Sequence, residues 1–320
     1  MAILKFINDR ADFSSLNASV SASNIYFSGQ RVDGWSMVLS QSATMNWPES
    51  TNDTCWMHYT GSFSSSNVNW DDDGVFTFTD LAVTTVLQMN IADGFIEWDL
   101  IGDTTERFVY QNVADTLLVM DVQFIRNGTT DITVNVYVNG AFQGTATVAN
   151  TNDVGTPVAM NITNEDTNSG GAIYFGECVI ADEDTRGWRL YQLKPTAFGV
   201  HQEWLGDASS VVDGSLLTGI STDVADDLAS FGVTNIENIA DTTLIDRIAI
   251  QTYGQRGASG LTAFNHYFRY EDAAIENDTD RSLELTATLV MDEYLLDPRT
   301  SLAWEVDDIQ GLQIGVRART

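Results

Sequence analysis

Only two of the 320 residues are lysine, Lys5 and Lys194, and lysine and arginine together number 15 against 45 aspartates and glutamates. The formal net charge is -30. A chain so poor in cations repels phosphate backbones and anionic headgroups, which excludes nucleic acid as an expected partner. It is instead a solubility device, one that salt screening makes easier to tolerate. Long apolar runs are also missing. None approaches the roughly 20 residues needed to span a bilayer, so no membrane insertion is expected. The opening MAILKFINDRADF has too short an apolar core for a signal peptide. Cysteine is scarce: Cys55 and Cys178 cannot build a disulfide framework and are expected as small buried hydrophobes. The three histidines, His58, His201 and His266, stand alone, with no His-x-x-x-His pair or Cys/His cluster to suggest zinc. No Gly-x-Ser-x-Gly elbow or phosphate-binding glycine loop occurs either.

What the sequence does have is alternation. Ile132, Val134, Val136 and Val138 alternate with polar residues, Asn139-Gly140 follows, and Phe142, Gly144, Ala146 and Val148 alternate again. Asn-Gly between two such runs predicts a hairpin, since both residues tolerate positive φ. Further strands are expected at 25–27, 35–39, 75–79, 82–89, 95–101, 107–110, 117–124 and 172–180. After Pro195 the texture changes, with weak periodicity over 207–243 and strands expected at 245–253, 264–270, 283–290 and 312–318. No long amphipathic helix interrupts residues 1–195. The expectation is an all-β protein of two β-sandwich, jelly-roll-like domains, residues 1–196 and a smaller 197–320.

Three segments concentrate carboxylates. In Phe95–Asp103, Glu97 and Asp99 share one face of a strand. The segment resembles the Glu-x-Asp strand of retaining glucanases built on a concanavalin-type jelly roll, with Glu97 at the nucleophile position and Asp99 as its helper. The acid/base position falls on Ile101 or Gly102, and Asp103 lies six residues from Glu97, roughly 20 Å along a strand. That is far beyond the about 5–9.5 Å a carboxylate pair needs, so the segment supplies half a site. Asp71-Asp72-Asp73-Gly74 reads as a turn more readily than a Ca²⁺ loop, for it lacks EF-hand spacing. Asp182-Glu183-Asp184-Thr185-Arg186-Gly187 reads as a corner after a strand, with Arg186 as internal counter-ion and Trp188, Leu190 and Leu193 as anchors before Pro195.

Two resemblances extend this reading. The Val134–Gly140 stretch and the Ile173–Ile180 strand resemble concanavalin-like (laminin-G-like) jelly rolls, which implies that fold for roughly residues 1–195. VIADEDTRGWRLYQLKP at 179–195 and LDPRTSLAWEVDDIQGLQIGVRART at 296–320 resemble segments of virion structural proteins of tailed phages, many marine, with Ser301 where those carry glycine. The resemblance implies a structural component of the particle, on the outer head surface or tail. It would be made in the bacterial host cytoplasm and would contact other virion proteins and copies of itself. No catalytic, cofactor-binding or metal-ligating residues are expected, and the protein is not expected to be an enzyme. The alternatives are a glycan-binding adhesin on the same fold, using exposed aromatics, and, more remotely, a glycosidase.

Overall fold

The computed structural model describes residues 3–7, 15–17, 35–38, 41–63, 74–92, 95–100, 107–111, 117–150, 153–164, 172–212, 217–234, 244–258, 260–270, 274–276 and 279–320. Contacts divide the chain into two units, Met1–Gln192 and Leu193–Thr320. The first contains β1 (Ile3–Ile7), β2 (Ser15–Asn17), β3 (Trp35–Val38), β4 (Gln41–Asn46), β5 (Thr54–Phe63), β6 (Gly74–Thr79), β7 (Thr85–Ala92), β8 (Phe95–Leu100), β9 (Arg107–Gln111), β10 (Leu118–Asn127), β11 (Asp131–Val138), β12 (Ala141–Ala149), β13 (Ala159–Asn164) and β14 (Ala172–Ala181). The second contains β15 (Pro195–Gln202), β16 (Leu228–Val233), β17 (Ile248–Gly254), β18 (Ala263–Arg269), β19 (Ala274–Glu276), β20 (Arg281–Ser282), β21 (Thr288–Tyr294), the single turn α1 (Val306–Ile309) and β22 (Gln313–Arg319).

In the first unit two seven-stranded antiparallel sheets face each other. One runs β1-β14-β5-β10-β11-β12, with β3 also on β14; the other runs β2-β4-β13-β6-β7-β8-β9. Alternation drives the pairing. Ile132, Val134, Val136 and Val138 point inward from β11 and meet a layer from the opposite sheet that includes Met45, Phe76, Leu87, Trp98 and Ile162. The Tyr59 and Phe76 rings touch edge to face across the layers, 5.7 Å apart. A cavity of about 30 Å³ between Met57, Phe76, Met89, Trp98, Met120 and Met160 is apolar and no larger than a water, hence a packing gap rather than a ligand site. Cys55 and Cys178 are not joined in a disulfide, and both are buried in this core. Burial, with Asp182's charge adding, pushes the Cys55 thiol up to about 12, so it is inert at neutral pH.

The hairpin forms at Asn139-Gly140, with φ of 51° and 76° at the two residues. Its second strand departs from simple alternation. The two-residue turn pairs Val138 with Ala141, while core packing pairs Val134 with Ala146 and Ile132 with Val148. Residues 141 and 146 differ by an odd number, so both pairings hold only if β12 carries one extra residue. The register shifts between Val136–Gly144 and Tyr137–Phe142, leaving Gln143 as that bulge. A one-residue slip exchanges faces. Phe142, expected inside with Ala146 and Val148, therefore stands outside beside Tyr137 and is 57% exposed.

The second unit is all-β and antiparallel but less symmetric. A six-stranded sheet, β15-β16-β22-β18-β19 with β20 on β18, accompanies a two-stranded ribbon, β17-β21. Its apolar cluster is small: Ile250, Phe268, Tyr270, Trp304 and Leu312, with Ile245, Ile248, Tyr294 and Ile314 against it. Residue 196, the expected end of the first domain, falls inside β15, which opens at Pro195 paired with Val233. Proline is tolerated as the first residue of an edge strand. The alternation expected from Leu283 becomes strand only at Thr288, and Leu285 is exposed.

The segment 296–320 accounts for its own motif residues. The buried Asp297 carboxylate accepts from the Tyr270 hydroxyl, from the Arg299 N–H at 2.9 Å and from the Thr300 hydroxyl at 2.9 Å. Burial opposes its ionisation, but these bonds outweigh that and hold the carboxyl below the ordinary value. Ser301 sits at φ 58°, a left-handed position that suits glycine. Trp304 Nε1 donates to the Tyr294 carbonyl at 2.8 Å, and Glu305 and Asp308 form a capping box on α1. Gly315 is dictated by contact, for a Cβ there would lie 2.2 Å from Tyr267 Cζ.

Candidate functional site

Of the carboxylates singled out by sequence, Asp99, Asp182 and Asp184 have separate hydrogen-bond partners. On β8, Ile96, Trp98 and Leu100 enter the core, while Asp99 accepts a hydrogen bond from Asn90 Nδ2 at 3.0 Å. Gln88 Nε2 in turn donates to Asn90 Oδ1 at 2.8 Å, so Asp99 ends an amide ladder. Glu97 pairs with Asn90 and Val109 along the sheet. Asp103, Asp71, Asp72 and Asp73 lie outside the described residues, as does the strand expected at 25–27. Among the described residues no group of three His, Cys, Asp or Glu side chains is placed to hold a metal ion. No helix there is long and apolar enough to cross a membrane.

Side chains distant in sequence meet on the outer face of the β5-β10-β11 part of the first sheet. His58, on β5, is fully buried. Its Nδ1 lies 2.8 Å from Asp121 Oδ1 on β10, and its Nε2 lies 3.4 Å from Glu177 Oε2 on β14. Burial lowers the tendency of the ring to hold a proton, but the hydrogen bonds and charges of Asp121 and Glu177 outweigh it and raise His58 above 6.5. Thr185 Oγ1 donates to the same Asp121 oxygen at 3.0 Å. The Asp182–Gly187 corner therefore folds back onto the sheet instead of standing as a free acidic loop. Asn52 Nδ2 holds Asp182 at 3.0 Å, and Gly187 ends the turn at φ 82°.

Arg186 completes this corner. Its Nε donates to Asp184 Oδ1 at 2.9 Å, and the guanidinium lies 4.6 Å from the Tyr137 ring centre and 5.4 Å from that of Trp56. Hydrogen bonds from Arg186, reinforced by its charge, hold the Asp184 carboxyl below the ordinary value against a smaller effect of burial. Trp56 and Tyr137 are stacked at 6.0 Å, and Tyr137 and Phe142 follow at 5.4 Å, so three rings form a row ending at the exposed Phe142. Beside the row lie amides and hydroxyls. Asn135 Nδ2 donates to Gln123 Oε1 at 2.8 Å, Thr133 and Thr147 share a bond at 2.9 Å, and Thr145 stands opposite Asn135. Because Arg186 is 43% exposed and its ion pair with Asp184 faces solvent, Arg186→Ala is expected to cost less than about 1 kcal/mol in thermal or denaturant unfolding.

The second unit holds a comparable buried cluster. His266 Nδ1 lies 2.6 Å from Asp292 Oδ2, His266 Nε2 lies 2.8 Å from Thr252 Oγ1, and Arg281 binds Asp292 Oδ1. The order hydroxyl, imidazole, carboxylate matches a nucleophile and its base. Thr252, however, shares a strand face with the core residue Ile250, and Asp292 is paired with Ile250 in the ribbon. The cluster is thus a satisfied polar clamp within the layers of this unit. His201 contacts Tyr267 edge-on at 6.2 Å.

Sequence reasoning left these assemblies unseen. Position 58 is 63 residues from Asp121 and 119 from Glu177. The three rings come from three strands, and Phe142 joins them only through the Gln143 bulge. The available signal was in β11, where Asn135 and Tyr137 occupy the face opposite the valines.

Comparison with protein-family models finds no match, and comparison with curated proteins finds none. Among solved structures the chain is similar to the binding domain of botulinum neurotoxin serotype G, with a TM-score of 0.38 and 14% identity over 53% of this chain and 43% of that one. The chain thus spans less than half the length of that neighbour. It is similar also to the serotype D binding domain, with a TM-score of 0.44 and 9% identity over 82% and 72% of the two chains. A galectin of Caenorhabditis elegans gives a TM-score of 0.30 and 12% identity over 46% and 95%. Values this low bear on neither family nor activity.

Proposed function

We propose that the first unit is a non-catalytic carbohydrate-binding module and that the row Trp56–Tyr137–Phe142 with its flanking amides is its binding surface. The observation that carries this reading is Phe142, a large apolar ring 57% exposed and backed by Tyr137 beside Asn135, Gln123, Thr145 and Thr147. A sugar presents an apolar face of C–H groups and a rim of hydroxyls. An exposed ring takes the first, and amides and hydroxyls at fixed spacing on a sheet take the second. The finer concanavalin-like jelly-roll assignment belongs to the same reading. It is supported by the two facing seven-stranded antiparallel sheets.

Titration against a panel of neutral, uronic and sulfated polysaccharides tests it. Phe142→Ala is expected to weaken binding about tenfold, the equivalent of about 1.4 kcal/mol. Flat responses across the panel, or binding indifferent to this change, would overturn the reading.

A second reading, a structural component of a virion, is supported by the two segments resembling phage proteins. It is compatible with the first, since an adhesin can be carried on a particle. Mass spectrometry of purified particles tests it, and absence of the chain from intact particles would remove it.

A further inference from the structure

The Asp182–Gly187 strap meets two of the three rings: Arg186 lies against Tyr137 and Trp56, and Trp56 is 4% exposed. We propose that this strap is a pH-released cover over the aromatic row, latched shut by His58 in its protonated form. The inference rests on the carbohydrate-binding reading, since it concerns access to that same surface.

Geometry assigns the charge on His58. Each ring nitrogen faces a carboxylate, Asp121 on one side and Glu177 on the other. An imidazolium has two N–H donors and satisfies both; a neutral ring has one and would turn a lone pair toward the remaining carboxylate. The latch reaches the strap through one atom. Asp121 Oδ1 accepts from His58 Nδ1 and from Thr185 Oγ1, and Thr185 is fully buried.

Deprotonation of His58 leaves two buried carboxylates beside a ring with a single donor. That arrangement is relieved when water reaches the carboxylates. The strap is the described segment whose side chain already bonds Asp121, so hydrating Asp121 displaces Thr185 and lifts Arg186 from the rings.

The charged groups around the latch are few. Asp121 comes from β10 and Glu177 from β14. From the strap come Asp182, tied to Asn52, the half-buried Glu183, and the exposed Asp184–Arg186 pair, which is internally neutral. The sign follows from the raised His58 value. A group whose folded pKa exceeds its unfolded value of about 6.5 contributes fully below that value and loses its contribution as pH rises through the folded one. The cover is shut below the folded pKa of His58 and opens as pH rises through it.

Acrylamide quenching of tryptophan fluorescence tests the cover without a ligand. The difference between the full chain and its Trp56→Phe variant isolates Trp56, measured from about pH 5 to about pH 10, a range that begins below the free histidine value. Quenching of Trp56 is expected to rise severalfold across the His58 transition, with circular dichroism showing the fold retained. Thr185→Val, which cuts the strap from Asp121, is expected to give the open value already at the acid end. His58→Gln, which cannot titrate, is expected to remove the pH dependence.

Glycan titrations at the same pH values should show affinity rising about tenfold as the rings are bared. Trp56 quenching that is flat with pH in the folded protein, or unchanged by Thr185→Val, overturns the cover. Quenching that follows pH while no glycan binds in either state leaves the cover standing and overturns the carbohydrate reading alone.

Discussion

Asp121→Ala is expected to cost the first unit about 3–5 kcal/mol, the range for removing one partner of a buried ion pair. Two buried groups lose their common partner at once. His58 loses the acceptor at Nδ1, Thr185 loses its hydroxyl acceptor, and Glu177 is left as the sole counter-charge at 3.4 Å. None of them is positioned to recover the loss in water, since His58 and Thr185 are fully buried and Glu177 is 3% exposed. Denaturant unfolding, with hydrogen exchange read at β5 and β10, measures the effect. The contrast with the sub-kilocalorie cost of Arg186→Ala matters, because Arg186 is an exposed member of the strap and Asp121 lies buried beneath it. The apolar replacement of the whole cluster, His58→Leu with Asp121→Leu and Glu177→Leu, is expected to be milder than Asp121→Ala alone. It removes the charges together with their partners. A cost below about 1 kcal/mol for Asp121→Ala would show that water already reaches the cluster.

The second large effect is Trp304→Ala, expected to cost the second unit about 3–5 kcal/mol. The apolar cluster there has five buried members, so this indole is a large share of it. Trp304 packs edge to face on Phe268 at 5.4 Å and donates to the Tyr294 carbonyl. Truncation leaves a cavity between β18 and the β17–β21 ribbon and removes the indole donor from the Tyr294 carbonyl. Trp304→Phe keeps most of the volume and loses the donor, so it should fall between alanine and the native residue. Hydrogen exchange at β17 and β21 in the full chain is the readout, and protection unchanged by Trp304→Ala would contradict this account of the core.

How much of this was legible in the sequence depended on exposure. β11 was plain because one of its faces is core and the other polar, so its letters alternate. β5 was not: Cys55-Trp56-Met57-His58-Tyr59 is buried on both faces and shows no alternation to read. β15 hid because it has no buried residue to alternate and begins with a proline taken for a terminator, and β16 because its buried residues, Ala229, Ser230 and Phe231, run consecutively. The site was less legible than the fold. Its histidine, its two carboxylates and its rings belong to strands far apart in the chain, and only pairing brings them together. The acidic corner was visible and its turn was correctly placed, but its docking on Asp121 could not be read from neighbours in sequence.

The bulge at Gln143 carries one more consequence. Nothing in the chemistry of Phe142 puts it outside; parity does, because a two-residue turn and the Val134–Ala146 pairing cannot both be met by a regular strand. One codon inserted between Asn139 and Gly140 would let the strands pair without the extra residue and turn Phe142 toward Val138. The surface would vanish with every one of its residues still present. Turn length is therefore a heritable on–off control for this face, and substitutions alone would give an incomplete record of its gain and loss.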